Sequence, residues 1–527
     1  MSEPRSHFVF GTIAPFSHVP PVIEVSLALL THTPDLCISV ILHVNNLENS
    51  QSLIETQGVA EHVKSRIKLI PVGEKRAWND LTGSYIDVIY KGGEGYEGVL
   101  LDSAPWPHPS TFIYDGAGFF WISVKSKVEE NFPQLRPPKL VAYGPLPIGE
   151  MLYLAGSEQN GSTRFINNAL EAYPEVQNAP QSKLLQGDLD VENSDFGAQA
   201  AHLLKQADAY KACLFESKTI LKIPGYTPFY SFERWGSDMD WSSVAEMSWV
   251  QLLSGWQECT TAPEAWITCF PASVLEPETL EAFRKDEYFT ARGKKEVIEL
   301  GWSERRPKID LGQGVREFLD KQRDKSVIYI SFGTLVDAGP TLPALFDLLK
   351  EINTPYIYAC GRQKHSLPQY IKDTLASSEK EGICIAPDWL DQVGVLSHKA
   401  VSCFVSHCGA NSYVEAIEAG VPIIAWGKRG DQVTLASRVH SSGLGIELLQ
   451  HRTGFSIGKE VAHRKGVIIK GTPEALKEEV RAALDTINGP EGEEMRKRAR
   501  KLSEEMSEKR RGEWVENIKK FGLYGRE

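Results

Sequence analysis

The sequence predicts an α/β protein made of two doubly wound halves, each a parallel sheet covered by helices. Three observations carry that expectation. Short apolar runs rich in small and β-branched residues recur along the chain and alternate with helical patterns, as strands buried on both faces do. One pair of these runs, residues 400–405 and 421–426, encloses a Gly-containing turn and a helix pattern closed by Gly420 and Pro422, which is βαβ order. The length, 527 residues, is ample for two domains of this kind.

Taken in order, residues 7–13 read as the first strand, followed by the turn Ala14-Pro-Phe-Ser-His18-Val-Pro-Pro21 and a helix from about Pro21 to Leu30. A strong strand pattern follows at 37–43, with further ones at 67–71, 98–102 and 266–270. The stretch 301–312 has little hydrophobic periodicity and contains Arg305, Arg306 and Pro307, so it reads as a hinge. Beyond it, strand patterns at 326–331, 356–359, 382–386, 400–406 and 421–426 alternate with helical ones and form a second parallel sheet. From about Pro490 the chain is a charged helix carrying Trp514 and Phe521. The expected division is 1–304, a linker at 305–322, 323–489, and terminal helices at 490–527.

Composition narrows the functional classes. With 42% hydrophobic and 24% charged residues the chain has ordinary globular character, and a net charge of -12 argues against a nucleic-acid partner. No uninterrupted run approaches the ~18 apolar residues of a membrane span. The amino terminus lacks the continuous apolar core of a secretory signal, so a cytoplasmic protein, and a monomer, is the expectation. Eight scattered cysteines without a C-x-x-C pair fit a reducing compartment and no structural zinc site.

The segment from Trp389 to Gln432 holds the most chemistry. His407-Cys-Gly-Ala-Asn-Ser412 turns a buried strand into a helix at the carboxyl edge of the sheet, where ligands bind in open α/β folds. A helix start presents unpaired N–H groups and a positive dipole end to an anion, Gly409 permits close approach, and His407, Asn411 and Ser412 add donors. Ser412 and Glu415 by themselves read first as a capping box. Asp431 and Gln432 follow a strand end and Gly430, where a carboxylate and an amide can hold neighbouring sugar hydroxyls. Together these features point to a nucleotide-sugar site. Cys408 in the turn reads as a small buried thiol.

The spacing of these elements resembles the signature box of the family 1 UDP-glycosyltransferases, W-x-P-Q-x-x-V-L-x-H…HCG-x-NS-x-x-E…G-V-P…DQ. The resemblance implies the GT-B architecture, two Rossmann-like domains facing across a cleft, with the carboxyl-terminal helices returning to the amino-terminal domain. It implies that Trp389 stacks on uracil and Gln392 contacts the nucleoside. It further implies that His407, Gly409, Asn411 and Ser412 meet the diphosphate, Glu415 the ribose, and Asp431 with Gln432 the transferred sugar. Ser331-Phe-Gly-Thr334 is similar to the family's S-F-G-S/T motif, giving Thr334 a donor-binding role. Three departures are present: Asp391 for proline, Ala410 for a common tryptophan, and Gly427-Lys428-Arg429 for an apolar loop. The basic pair can favour an acidic sugar, although two solvated surface cations are the plainer reading.

His18 lies in the turn after the first strand, in a segment that resembles the family's G-H-x-x-P turn with Ser17 for glycine. A histidine there can take the proton of an attacking alcohol, and needs a carboxylate to orient its ring. Asp102, at the end of the apolar 98–101 run, is the first choice for that partner, with Asp115 as the competitor. Gly93-Glu-Gly-Tyr-Glu-Gly98 matches G-x-G-x-x-G but reads as a flexible turn before a strand, not as a dinucleotide fingerprint.

Aromatic residues concentrate at Tyr226, Phe229, Tyr230, Phe232, Trp235, Trp241, Trp249 and Trp256. Core packing explains much of that stripe. With Trp106, Phe119, Phe120 and Trp121 it can also line an apolar cleft for a terpenoid, sterol, polyketide or phenolic acceptor. The resulting expectation is an inverting transferase that moves a sugar from a UDP-sugar, glucose first, with xylose or another hexose as alternatives. It would bind no cofactor and no metal, and would use the UDP-sugar as co-substrate. A sterol glucosyltransferase, a non-catalytic UDP-sugar-binding protein and, last, an NAD-dependent oxidoreductase are the other readings.

Overall fold

The computed structural model describes residues 4–77, 81–102, 105–116, 118, 120–162, 220–234, 262–291, 293–301, 303, 311–333, 339–361 and 367–526. Thr334, Phe119, Trp235, Trp241, Trp249, Trp256 and the residues 304–310 of the expected hinge lie outside them.

In the first half, strands β1 (Ser6–Gly11), β2 (Leu36–His43), β3 (Ile67–Val72), β4 (Thr111–Asp115) and β5 (Lys139–Gly144) are followed by a short antiparallel pair, β6 (Ile220–Leu221) and β7 (Phe229–Tyr230). Strands β8 (Ala265–Thr268) and β9 (Glu296–Glu299) complete a sheet of order β3-β2-β1-β4-β5-β8-β9. Its pairings are all parallel; the inner strands β1, β2, β4 and β8 are buried along their length, while the edge strands β3 and β9 are partly exposed. The second half comprises β10 (Val327–Ser331), β11 (Tyr356–Ala359), β12 (Cys384–Ile385), β13 (Val401–Ser406), β14 (Ile423–Ala425) and β15 (Gly445–Glu447). Their order is β12-β11-β10-β13-β14-β15, again parallel throughout. Two Rossmann-like sheets are therefore present, as expected.

Each sheet reverses its winding once. The first grows from β1 through β2 to β3 and then restarts on the other side of β1 with β4; the second does the same at β10 and β13. Crevices at the carboxyl ends of the strands flanking such a reversal are where open α/β sheets bind ligands. The two crevices face each other: Asn411 Nδ2, beyond β13, donates to the Ser17 carbonyl, beyond β1, at 3.2 Å.

The region 98–102 is not a strand. Residues Leu81–Leu101 form one helix, which packs against β2 and β3, and Asp102 follows its last turn as an exposed residue. The glycines that suggested a flexible turn lie inside this helix. A Cβ on Gly95 would stand 2.8 Å from Val72, and one on Gly92 2.7 Å from Trp121. Glycine costs a helix about 1 kcal/mol per residue, which the close approach to β3 and Trp121 offsets through packing.

The terminal helices, Pro490–Arg511 and Glu513–Phe521, leave the second half and reach the first. Trp514 is buried against Gly301, Asn517 donates to the Glu299 carbonyl at 2.8 Å, and Phe521 packs on Phe8 with ring centroids 5.6 Å apart. Arg526 then clamps Asp35 at 2.6 Å. No helix among the described residues is long and apolar enough to cross a membrane.

Candidate active site

At the first crevice, a short 3-10 turn, Phe16–His18, leads into the helix Val19–His32, whose early prolines suit a helix start. His18 Nδ1 meets Asp115 Oδ2 at 2.8 Å, and Asp115 is buried at the end of β4. Asp102 is thus replaced by Asp115 as the carboxylate that orients the ring: β1 and β4 are neighbours, whereas Asp102 sits on the far side of a helix end, exposed. Burial works against a charged imidazole here. The charge and hydrogen bond of Asp115, with help from Asp431, outweigh it and hold the His18 pKa above its ordinary value. The side chain keeps 11% exposure, and with Nδ1 on Asp115 its other ring nitrogen, Nε2, is left for a ligand.

At the second crevice the chain leaves β13 through His407, Cys408 and Gly409 into the helix Ala410–Glu418. Cys408 takes a left-handed φ of 61°, and its N–H donates to Ser406 Oγ at 3.0 Å. Such a backbone costs a non-glycine residue about 1–2 kcal/mol, and it directs the turn so that Gly409 is the N-cap. No side chain caps this helix, leaving its first N–H groups for an anion. The Cys408 thiol is buried and pushed well above its ordinary pKa, so it is an inert packing group.

His407 is buried between two backbones without Cβ. A Cβ on Gly333 would stand 2.7 Å from its Nε2, and one on Gly409 2.6 Å. Burial pushes its pKa down to about 4. This ring is neutral near pH 7 and can serve a ligand only as a hydrogen-bonding group.

Ser412 and Glu415 do not form a capping box, because Ser412 is the third helical residue and not the N-cap. Both are instead held by Gln392, whose Nε2 donates to Ser412 Oγ at 3.1 Å and to Glu415 Oε2 at 2.6 Å, while Tyr329 donates to its Oε1 at 3.0 Å. Gln392 therefore braces the wall of the crevice. Above it Trp389 is 63% exposed, an unusual position for an indole unless its face is to be covered.

Asp431 opens the helix Asp431–Ser441 after Gly430, whose φ is 57°. Burial first, and then the nearby Glu150, raise its pKa to about 7, with Arg234 and His18 opposing. Gln432 Oε1 is buried without a hydrogen-bond partner. Lys428 and Arg429 are half-buried, not a solvated surface pair, and burial lowers the Arg429 pKa.

Among the described residues, the aromatic stripe serves packing. Trp121 is fully buried and donates to the Thr12 carbonyl at 2.9 Å; Phe120, Phe229 and Phe232 are buried. Trp106 lies edge-on to His7, with centroids 5.3 Å apart, and Tyr226 donates to Glu276. Segment 225–234 docks on the second half through Thr227 to Ser437 at 2.9 Å, Arg438 to the Gly225 carbonyl at 2.6 Å, and Gly430 N to the Arg234 carbonyl at 2.9 Å. Sequence reasoning missed Glu150 and Arg234. Glu150 had a signal, as the one charge in the apolar stretch 145–155.

Among known proteins, the family model described as UDP-glucoronosyl and UDP-glucosyl transferase matches residues 297–456. UDP-glucose flavonoid 3-O-glucosyltransferase 7 of Fragaria ananassa is 30% identical over 192 residues, 36% of this chain and 38% of that protein. Indole-3-acetate beta-glucosyltransferase of Zea mays is 36% identical over 133 residues, 25% of this chain and 28% of the other. The chain spans less than half the length of these curated relatives. A solved UDP-glucosyltransferase from Polygonum tinctorium shares the fold over 100% of both chains, with a TM-score of 0.64 at 16% identity. UGT71G1 of Medicago truncatula, solved with UDP-glucose, covers 98% of this chain and 97% of its own, with a TM-score of 0.62 at 18% identity.

Proposed function

We propose that this chain is a family 1 UDP-glycosyltransferase, a reading the family match over residues 297–456 supports, and that it transfers a sugar, glucose in the first place, from a UDP-sugar to a hydroxyl of a small lipophilic acceptor. The observation that carries this reading is the His18–Asp115 pair, set against an uncapped helix start by the Ser17–Asn411 contact. A ligand held at that helix start would present its reacting carbon to His18.

In the proposed step, Asp115 holds the His18 ring so that Nε2 accepts the proton of the acceptor hydroxyl. The oxygen forms a bond to the anomeric carbon while the bond to UDP breaks, and the negative charge leaving on UDP falls on the first N–H groups of Ala410–Glu418 and on neutral His407. In-line displacement inverts an α-linked donor to a β-glycoside. Trp389 covers the uracil, Glu415 braced by Gln392 receives the ribose hydroxyls, Thr334 and Ser412 assist the diphosphate, and Asp431 with Gln432 holds the sugar. The acceptor side is assigned to residues 1–304 and the donor side to 323–489, with 305–322 joining them and 490–527 returning to the first half.

A binding protein without chemistry would have no use for a buried carboxylate aimed at His18, which favours the transferase. The test is UDP release by the purified protein with UDP-glucose, UDP-xylose, UDP-galactose and UDP-glucuronate against pooled phenols and terpenoid alcohols, read by mass spectrometry. A product heavier by one sugar supports the reading. Donor binding without any product across the panel would move it to a binding role.

A further inference from the structure

One buried charge in the cleft has no place in this chemistry. Arg234, 3% exposed, comes from the first half yet touches the turn that carries Asp431 in the second. Its carbonyl accepts from Gly430 N at 2.9 Å, and a Cβ on Gly430 would stand 3.9 Å from its Nη2. The guanidinium carbon lies over the Tyr153 ring, 3.5 Å from the centroid, and the group pairs with buried Glu150. Its Nε and Nη1 are sealed from solvent and make no hydrogen bond, nor does Glu150 Oε2. A buried guanidinium normally satisfies its donors. Here part of its charge stays unquenched in a low-dielectric site, beside one carboxylate it bonds and another it does not.

Resting on the donor-site reading above, we propose that Arg234 is a positioning residue for sugar recognition: it anchors the Gly430–Asp431 turn from across the cleft and favours Asp431 as the acceptor for the donor sugar's hydroxyls. The charged and titratable groups around Asp431 are Glu150 and Arg234 from the first half, His18 from its turn, and Arg429 and Cys408 from the second half. Glu150 repels the Asp431 charge, so the balance depends on the arginine between them. Without Arg234, two carboxylates share one buried site and a proton settles on one of them.

The experiment is calorimetric titration of the full chain with UDP and with UDP-glucose between pH 6 and 9. For Arg234→Met, UDP affinity should stay within about twofold, while UDP-glucose affinity falls about tenfold at pH 7 and recovers as pH rises and Asp431 deprotonates. The double variant Glu150→Gln with Arg234→Gln removes the repelling charge together with its counter-charge and should regain most of the loss, a rescue that a merely structural role would not give. Equal loss of UDP and UDP-glucose affinity in the single variant, or a double variant no better than the single, overturns the inference while leaving the donor site intact. Absence of UDP-glucose binding to the unaltered protein overturns the donor-site reading and this inference with it.

Discussion

Each half places a histidine at its reversal of strand order, on opposite members of the strand pair, and gives it opposite character. His18 follows β1 at one reversal of strand order, and His407 follows β13 at the other. His18 faces a buried carboxylate, which lifts its pKa despite burial; His407 faces glycine backbones and apolar packing, and burial alone drives it down to about 4. One ring is equipped to take a proton and the other to donate a hydrogen bond without changing charge. The fold supplies the crevice twice, and the chemistry is set by what stands opposite the histidine: Asp115 on β4 in one case, Gly333 beyond β10 in the other.

The strongest way to break this comparison is to remove the base. His18→Ala should lower the transfer rate about 100- to 10,000-fold, the range for loss of general base catalysis, with UDP affinity unchanged by calorimetry; a variant that still turns over normally removes His18 from the reaction. Asp115→Asn should cost about 100-fold in rate, since the ring loses its orienting acceptor, and should shift the acid limb of the rate profile to lower pH. Asp102→Asn, its exposed counterpart, should leave rate and profile unaltered.

In the second half, Gly409→Ala places a methyl where His407 Nε2 stands, 2.6 Å away, so UDP binding should weaken about tenfold. The same variant should leave the pH dependence of the rate intact, since His18 is untouched. Smaller still, Trp389→Ala should reduce UDP affinity by about threefold to tenfold, the worth of an aromatic stacking contact, without lowering the melting temperature, because the indole is exposed.

The pH dependence of stability sharpens the contrast in sign. The His18 pKa is raised in the folded protein, so its stabilising contribution is full below the unfolded value near 6.5 and fades as pH rises through the folded one. The His407 pKa is depressed, so its burial as a neutral ring is favourable above 6.5 and is lost as pH falls toward 4. Melting curves of His18→Gln and His407→Gln against the unaltered chain from pH 5 to 8 should therefore diverge from it in opposite directions. In the rate, transfer should drop about tenfold per pH unit below the His18 pKa.

Local pattern made much of this legible. The strands at 37–43, 326–331 and 400–406 are apolar on both faces and read directly, as did the passage from strand to helix within 407–412. Local pattern also misled the reading twice. In Leu81–Leu101 glycine serves close packing inside a helix, where it looks like a turn, and that error moved the expected orienting carboxylate from β4 to Asp102. Ser412 and Glu415 matched a capping box by spacing, but the box depends on which residue is the N-cap, and the left-handed Cys408 shifts that role to Gly409.

The sequence by itself determined the two-sheet plan, the turn chemistry after β13 and the presence of His18 in a strand-edge turn, because each depends on neighbours within a few residues. Which carboxylate meets His18, whether His407 is charged, and that Arg234 and Glu150 flank Asp431 were decided only by the tertiary structure. A pKa is set by desolvation and by charges within several ångströms, and here those charges come from residues 97 apart in one pair and from opposite halves of the chain in another.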